Sequence, residues 1–317
     1  MGDGEGLFIP PELEAASAWW DRGGRDWLVR LPELVAGYEQ RWAIRVGRAF
    51  SPGGTASYVA PATRADGSPA VLKLSPPDPA MRHEAAALGL YAGDGAVLLY
   101  EHDPDPPALL LERCRPGTAL PLAVANPDEQ VVIGARVLRR LWRPVPADHP
   151  FDRLVEVAAR MADAVERTVR AYAPPYDPGL IEEGAALLRT LPLEVASPVL
   201  LHRDFNLGNV LAAQREPWLA IDPQPLVGDA AFDAVQLLLE PGRLLDEADP
   251  AQAVRRRLAL LARETGLDAH RLRAWALARA VEWGLAALTV GSPPWGEEAI
   301  NLAHVLARVG SSGYVRG

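Results

Sequence analysis

Residues 202–209 read His-Arg-Asp-Phe-Asn-Leu-Gly-Asn, and this spacing could support phosphoryl transfer. An Asp followed five positions later by an Asn is typical of loops that catalyse this reaction. The chemistry needs a carboxylate that orients the attacking hydroxyl and accepts its proton. It also needs an oxygen ligand for a magnesium ion that bridges nucleotide phosphates. We predict that Asp204 is the catalytic base and that Asn209 is a magnesium ligand.

The segment after this loop predicts a second metal ligand. Two short apolar runs, 210–212 and 218–221, flank the polar turn 214–217, so we expect a β-hairpin. Asp222 ends the second run, where a carboxylate could reach the same metal. The alternative is that these polar residues only turn and cap the chain. The hairpin and the terminal Asp favour the phosphoryl-transfer interpretation.

Basic residues in this chain are almost all arginine. Of 32 Lys and Arg residues, only Lys73 is a lysine. A surface cation tolerates exchange to Arg, whereas a site that needs a compact ammonium does not. Lys73 lies in the apolar strand pattern 70–74, and Glu84 lies in the helical pattern that follows. We predict that Glu84 pairs with Lys73 and directs it toward phosphates, with a solvated Glu84 as the alternative.

A small antiparallel sheet is predicted over residues 44–74, with a hairpin turn at 65–68. Its first loop contains Gly53, Gly54 and Thr55. Glycines allow the backbone to approach a phosphate closely, and a hydroxyl can donate to it. A complete G-x-G-x-x-G pattern is absent, and a plain hairpin turn explains the loop equally well.

A helical extension is predicted before the sheet, over residues 11–42, with breaks at Gly23-Gly24 and Pro32. After two further strand patterns, the segment that begins at Glu112 is predicted to be a hinge. Backbone groups of Glu112 and Cys114 are predicted to hydrogen-bond a purine. For Cys114, a role as a small semi-buried hydrophobe is the alternative.

Beyond the hinge the apolar periodicity becomes mainly helical. Asp229 is predicted to cap a helix, and it could also contact the backbone or His202 of the catalytic loop. Glu282 and Trp283 could hold a cationic ring by charge and stacking. The alternative is an ordinary amphipathic helix with a core tryptophan. We expect a nucleotide-binding lobe over residues 1–113 and a catalytic and acceptor-binding lobe over 114–317.

Composition excludes several classes of protein. With 49% hydrophobic and 23% charged residues among 317, the chain is expected to be globular. The net charge of −9 argues against nucleic acid and tolerates a cationic partner. Neither a membrane-spanning run nor a signal core is evident, so we expect no membrane partner. A single cysteine is consistent with a cytoplasmic location.

In order, Lys73, Glu84, the run 202–209 and the run WLAIDPQPLVGDAAFD (218–233) resemble the aminoglycoside phosphotransferase family. The similarity is greatest to its streptomycin 6-phosphotransferase and hydroxyurea phosphotransferase branch. The resemblance implies an α+β, bilobal, protein-kinase-like fold. It implies ATP and Mg²⁺ as cofactors, and transfer of the γ-phosphoryl group to a hydroxyl of an aminoglycoside or aminocyclitol antibiotic. Such an activity would confer resistance.

Two positions depart from the family pattern and bear on the acceptor. Arg203 stands where these small-molecule kinases usually carry another residue, and Gln224 follows Asp222 where the branch varies. The acceptor alternatives are streptomycin, a related aminocyclitol, hydroxyurea and a biosynthetic hydroxyl compound. Protein kinase activity is disfavoured, because no Ala-Pro-Glu and no long activation segment follow Asp222. A catalytically inactive nucleotide-binding protein is the remaining alternative.

Overall fold

The computed structural model describes residues 6–16, 22–54, 56–77, 83–239 and 244–311. In chain order, its strands are β1 (Ile44–Val46), β2 (Tyr58–Arg64), β3 (Pro69–Leu74), β4 (Leu99–Pro104), β5 (Pro107–Glu112), β6 (Asp152–Arg153), β7 (Val199–Leu201), β8 (Val210–Ala212), β9 (Trp218–Ala220) and β10 (Leu226–Gly228). Its α-helices are α1 (Pro11–Ala16), α2 (Arg22–Arg41), α3 (Glu84–Tyr91), α4 (Leu120–Ala123), α5 (Pro127–Leu141), α6 (Leu154–Tyr172), α7 (Pro178–Thr190), α8 (Ala230–Ala234), α9 (Gln236–Leu239), α10 (Pro250–Thr265), α11 (Ala269–Thr289) and α12 (Pro293–Ser311). None of these described helices combines the length and apolarity that crossing a membrane requires.

The chain divides into two compact units. The N-terminal unit comprises residues 1–117 and 212–224, and the C-terminal unit comprises residues 118–211 and 225–317. The segment that carries Asp222 therefore belongs to the N-terminal unit, although it follows the catalytic loop in sequence. These units are defined by compactness and not by function. The expected division into a nucleotide-binding lobe (1–113) and an acceptor-binding lobe (114–317) therefore stays a prediction.

A five-stranded sheet lies at the centre of the N-terminal unit. Its strand order is β1-β2-β3-β5-β4, and all neighbouring strands are antiparallel. In β3, Ala70, Leu72 and Leu74 alternate into the core and are at most 1% exposed. The predicted β2–β3 turn is closed by the Arg64 N–H, which donates to the Ser68 carbonyl at 2.9 Å. The prediction of a small antiparallel sheet is confirmed.

The predicted helical extension packs against this sheet. Four apolar residues of α2 join the same core as the strands: Trp27, Leu31, Val35 and Tyr38. The predicted break at Pro32 is wrong, because α2 runs through this residue to Arg41. Helix α2 begins at Arg22, directly before Gly23-Gly24, and residues 17–21 lie outside the described residues, so the break at the two glycines stays a prediction. Pro32 removes one helical hydrogen bond. It lies on the exposed face, so water can satisfy the carbonyl that loses its donor. The buried face continues on both sides of it.

The C-terminal unit is mainly helical, as predicted, and α11 lies at its centre. This helix packs against α6, α7, α10 and α12. A Cβ on Gly284 of α11 would lie 2.6 Å from the Ile300 side chain, so the close approach of α12 requires glycine here. A short sheet of order β6-β10-β7 completes the unit. Strand β7 ends at Leu201 and therefore fixes the start of the catalytic loop.

Candidate active site

Lys73 is the centre of a buried charge cluster in the N-terminal unit. Its Nζ donates to Glu84 Oε2 at 2.6 Å and to Asp222 Oδ1 at 2.5 Å. Strand β3 supplies the lysine, Glu84 is the first residue of α3, and Asp222 follows β9. The side chains of Lys73 and Glu84 are only 7% and 4% exposed. The predicted Lys73–Glu84 contact is present, and Asp222 is a second partner of the same ammonium.

Burial and neighbouring charge set the protonation of this cluster. Burial lowers the pKa of Lys73, but the carboxylates of Glu84 and Asp222 more than offset it, so the pKa is raised overall. Burial raises the pKa of Glu84 to about 7, against the opposing effect of the Lys73 ammonium. Glu84 Oε1 is buried with no hydrogen-bond partner in the described part of the chain, which adds to the cost of its charge. With all three groups ionised the cluster is net negative, which suits a divalent cation with oxygen ligands.

Asp222 has a left-handed backbone conformation, with φ at 60°. Asp is one of the few residues besides Gly that adopt this conformation readily. Before it, Ala220 exchanges hydrogen bonds with the segment after α3: its N–H donates to Gly95 O at 2.9 Å, and its carbonyl accepts from Val97 N–H at 3.0 Å. The Asp222 side chain is 40% exposed. Its carboxylate can therefore contact Lys73 and still reach a ligand on the solvent side.

The loop between β1 and β2 contains Gly53 and Gly54. A Cβ on Gly53 would lie 2.5 Å from the Phe50 carbonyl oxygen, so the path of this loop requires glycine. The Gly53 N–H donates to Glu12 Oε1 at 2.6 Å. The Glu12 carboxylate thus accepts a backbone N–H that was predicted to bind a phosphate. The sequence analysis did not identify Glu12. Thr55 lies outside the described residues, and its role stays a prediction.

At the predicted hinge, Glu112 is already engaged within the sheet. Its N–H donates to Leu98 O at 2.8 Å, so a purine contact from this residue has to come from its carbonyl. Its side chain accepts from Leu98 N–H at 3.0 Å and from Arg215. Burial, with the charge of Glu112, raises the pKa of the Cys114 thiol to about 12. The thiol is therefore protonated at neutral pH, which agrees with a semi-buried hydrophobe.

In the C-terminal unit, the buried Asp233 fixes the start of the catalytic loop. Its carboxylate accepts the backbone N–H of His202 at 2.6 Å and that of Arg203 at 2.7 Å. The Trp142 indole N–H donates to it at 3.3 Å. These bonds hold Arg203 at a φ of 67°, a conformation that a long side chain rarely adopts. His202 is fully buried and meets the Phe205 ring edge-on, with centroids 5.3 Å apart.

The predicted pair Asp204 and Asn209 lies together in this loop. The Asn209 Nδ2 donates to the Asp204 carbonyl at 2.9 Å and approaches Asp204 Oδ2 at 3.5 Å. Asn206 Nδ2 donates to Asp204 Oδ1 at 3.3 Å, and Asn206 Oδ1 accepts the Asn209 N–H at 3.1 Å. Two amides therefore orient the carboxylate, and the Asn209 amide oxygen points away from it.

Asp229 caps α8, as predicted, by accepting the Ala231 N–H at 3.0 Å. The same carboxylate accepts from Arg271 Nε at 2.6 Å and from Trp275 Nε1 at 2.5 Å. The backbone contacts considered for Asp229 at the catalytic loop are made by Asp233, which sequence reasoning missed. A signal exists, because Asp233 is a charged residue in an otherwise apolar stretch, and such residues are rarely buried without partners.

We predict that Asp233→Asn flattens the pH dependence of stability. Burial raises the pKa of Asp233 to about 6, although the two backbone N–H groups oppose this. The folded protein therefore keeps a proton that the unfolded chain releases near pH 4. The free energy of unfolding of the wild type should fall as pH rises from about 4 to about 6. Asn does not titrate, so a contribution on the order of 3 kcal/mol is expected to vanish.

Urea unfolding at both ends of this pH window measures the effect. Asp163→Asn, an exposed substitution on α6, is the control and should keep the wild-type pH dependence. An equal pH dependence in wild type and Asp233→Asn would show that Asp233 does not titrate in this range.

The residues considered for acceptor binding lie in different environments. Glu282 Oε2 accepts from Arg279 Nη1 at 2.7 Å, so this carboxylate is already paired within α11. The Arg279 guanidinium lies 5.0 Å from the Phe232 ring centroid and 4.9 Å from that of Trp283. Arg279 was missed by sequence reasoning. Arg203 shares the C-terminal unit, and Gln224 is the last residue of the N-terminal unit.

Residues 41–291 match the model of a family described as aminoglycoside/hydroxyurea antibiotic resistance kinase. The streptomycin 6-kinase of Streptomyces griseus is 38% identical over 316 residues, which cover 97% of this chain and 100% of that protein. The hydroxyurea phosphotransferase of Kitasatospora aureofaciens is 37% identical over 300 residues, covering 94% of this chain and 85% of that protein.

A solved structure supports the fold assignment. A thermostable mutant of aminoglycoside phosphotransferase APH(4)-Ia, in ternary complex with ADP and hygromycin B, matches with a TM-score of 0.56. The match covers 88% of this chain and 99% of that one, at 12% identity. At this identity the likeness shows the fold alone, and it confirms the predicted bilobal, protein-kinase-like architecture.

Proposed function

Because the chain belongs to the aminoglycoside/hydroxyurea antibiotic resistance kinase family, we propose that it is an ATP-dependent O-phosphotransferase acting on a small antibiotic molecule. The observation that carries this proposal is the buried Lys73 ammonium bound by Glu84 and Asp222. A lysine fixed by a carboxylate on the following helix is what a kinase uses to bind nucleotide phosphates.

On the nucleotide side, Lys73 binds the phosphates and Glu84 fixes its position. Gly53, Gly54 and Thr55 approach the phosphates, and backbone groups of Glu112 and Cys114 contact the purine. Magnesium, when bound, would neutralise the negative charge of the phosphates. Asp222 and Asn209 are the residues proposed to hold it, since carboxylate and amide oxygens are suitable ligands.

On the acceptor side, Asp204 orients the attacking hydroxyl and accepts its proton. The amides of Asn206 and Asn209 hold its carboxylate in place, and Asp233 fixes the backbone before it. This preorganisation removes the cost of aligning the base during the reaction. His202 contributes indirectly, because its buried ring packs against Phe205 of the same loop.

The proposed acceptor is an aminoglycoside or aminocyclitol hydroxyl, with a streptomycin 6-kinase-like reaction and a role in resistance. The net charge of −9 favours a cationic acceptor. Hydroxyurea is the second candidate, because its phosphotransferase shares 37% identity with this chain. Of the residues considered for the acceptor, Trp283 offers a ring face. Glu282 could act on a cation only in competition with Arg279. The proposed location is the cytoplasm, which agrees with ATP as the proposed donor.

The test is phosphoryl transfer from ATP–magnesium to an acceptor panel, read as a mass increase of the acceptor. The panel contains streptomycin, other aminoglycosides and hydroxyurea. Phosphorylated streptomycin is the expected product, and phosphorylated hydroxyurea alone would favour the second candidate. If the purified chain binds ATP–magnesium but modifies no panel member, the proposed acceptor class is wrong.

Glu12→Gln is expected to lower the KM for ATP without changing kcat. The Glu12 carboxylate occupies the Gly53 N–H, and its pKa is lowered chiefly by backbone hydrogen bonds, so it is charged at neutral pH. A phosphate that takes this donor must displace it. Glutamine still offers an oxygen to this N–H, but a neutral acceptor forms a weaker hydrogen bond than a carboxylate does, and this weakening corresponds to a decrease in KM of roughly two- to tenfold. Steady-state kinetics over ATP concentration measure it, and a raised KM would indicate that Glu12 supports the loop instead.

A further inference from the structure

Arg215 makes polar contacts with several segments of the described N-terminal unit. Its Nε donates to Glu112 Oε1 at 3.0 Å, and its Nη2 donates to Glu112 Oε2 at 2.9 Å. The remaining donors reach two backbone carbonyls, Gly93 O at 2.7 Å and Ala96 O at 2.9 Å, and the Glu216 carboxylate at 3.0 Å. All five N–H groups of the guanidinium are thus directed at oxygen.

These contacts join three segments that carry different parts of the proposed site. Arg215 lies in the β8–β9 turn, on the hairpin that precedes Asp222. Gly93 and Ala96 follow α3, the helix that begins at Glu84. Glu112 ends β5 and is one of the two residues whose backbone groups are proposed to contact the purine. The Arg215 side chain therefore links the β8–β9 hairpin, the segment that follows α3, and the end of β5 at the predicted hinge.

Backbone hydrogen bonds also connect the segment around Ala96 with the strand that precedes Asp222. Ala220, two residues before Asp222, pairs with Gly95 and Val97 on either side of Ala96. Displacement of the loop that Arg215 binds would therefore move the strand that positions the Asp222 carboxylate. The hairpin is also tied at its other end, where Gly117 N–H donates to Ala212 O at 2.9 Å.

Exposed ion pairs usually contribute little to stability. Whether Arg215 holds these segments in place therefore depends on the burial and geometry of its contacts. The Arg215 side chain is 33% exposed, whereas that of Glu112 is only 12% exposed. The carboxylate is held by the guanidinium and by Leu98 N–H together. Lysine could not reproduce this contact, because it lacks the planar fork that reaches a carboxylate and two carbonyls at once.

We propose that Arg215, through Glu112 and the carbonyls of Gly93 and Ala96, is a positioning residue that aligns Asp222 with the nucleotide-binding segments. This inference rests on the proposed function. Its chemical consequence is that the ammonium of Lys73 and the carboxylate of Asp222 keep their 2.5 Å contact only while the hairpin is held.

The experiment compares Arg215→Lys, Arg215→Ala and Glu112→Gln with wild type by kcat, KM for ATP, magnesium dependence and thermal midpoint. Arg189→Lys is the matched control, because Arg189 also bridges two carboxylates and its side chain is 39% exposed. Misplacement of a reacting or metal-binding group costs roughly 10- to 100-fold, so we expect kcat to fall by that factor in both Arg215 variants. The magnesium concentration for half-maximal rate should rise in the same variants.

A merely structural role would lower the thermal midpoint and leave kcat of the folded enzyme unchanged. Rescue of kcat and magnesium dependence by Arg215→Lys, to within twofold of wild type, overturns the proposal. Equal losses in Arg189→Lys and Arg215→Lys overturn it as well. Calorimetric titration of wild type with ATP–magnesium distinguishes failure of the Arg215 proposal from failure of the proposed phosphotransferase function. Wild type that binds no ATP–magnesium overturns both.

Discussion

Asp204→Asn is expected to lower kcat by roughly 10²- to 10⁴-fold, the usual contribution of a general base. The substituted amide keeps the shape of the side chain but cannot accept the proton of the attacking hydroxyl. Asn209 donates to the backbone carbonyl of residue 204, and the substituted amide keeps one side-chain oxygen for Asn206, so the loop should retain its backbone path. Affinity for ATP–magnesium should therefore remain within a few-fold of wild type, which titration calorimetry measures alongside the turnover.

Asp163→Asn is the matched control for this prediction, since it makes the same chemical change on an exposed helix face. It should leave kcat unchanged. A fall in both turnover and nucleotide affinity for Asp204→Asn would indicate collapse of the loop. Such a collapse can be recognised independently, because the pH dependence of stability set by Asp233 would be lost with it. Wild-type turnover in Asp204→Asn would mean that another group accepts the proton.

The local part of the site could be predicted from the sequence because its residues lie close together in the chain. Asp204 and Asn209 are five positions apart, and the loop that joins them brings them into contact. Lys73 could be singled out for a different reason, namely that lysine survives at one position among 31 arginines. Asp222 was placed at the end of a hairpin, but its contact with Lys73 spans 149 positions. The motif assigned Asp222 to a metal ion, and neither the motif nor the local pattern predicted its contact with Lys73.

The supporting residues could not be predicted, because their partners are set by tertiary packing. Asp233 receives backbone groups 30 and 31 positions away, and Arg215 pairs with Glu112 across 103 positions. Asp233 stands out as a charged residue in an apolar stretch, but nothing local identifies its partners, and Arg215 is one of 31 arginines. The uninterrupted α2 helix has the same cause: packing of its apolar face outweighs the local preference of Pro32.

Lys73→Arg is expected to lower kcat/KM for ATP by about 10²-fold or more, although it keeps the positive charge. The ammonium lies between two carboxylates at 2.6 and 2.5 Å, in a place that is 7% exposed. A planar guanidinium is wider and has to displace Glu84 or Asp222 to enter. A displacement of about 1 Å in a reacting site costs on the order of 10²-fold. Initial rates at limiting ATP measure this effect.

Lys73→Met separates the shape of this side chain from its charge. Removal of the ammonium leaves two carboxylates without their cation, and breaking a buried pair in this way costs about 3–5 kcal/mol. Lys73→Met should therefore lose both activity and stability, whereas Lys73→Arg should lose mainly activity. Urea unfolding of the two variants distinguishes them. If Lys73→Arg kept wild-type kcat/KM, a compact ammonium would not be required here, and the survival of the single lysine would have no functional cause.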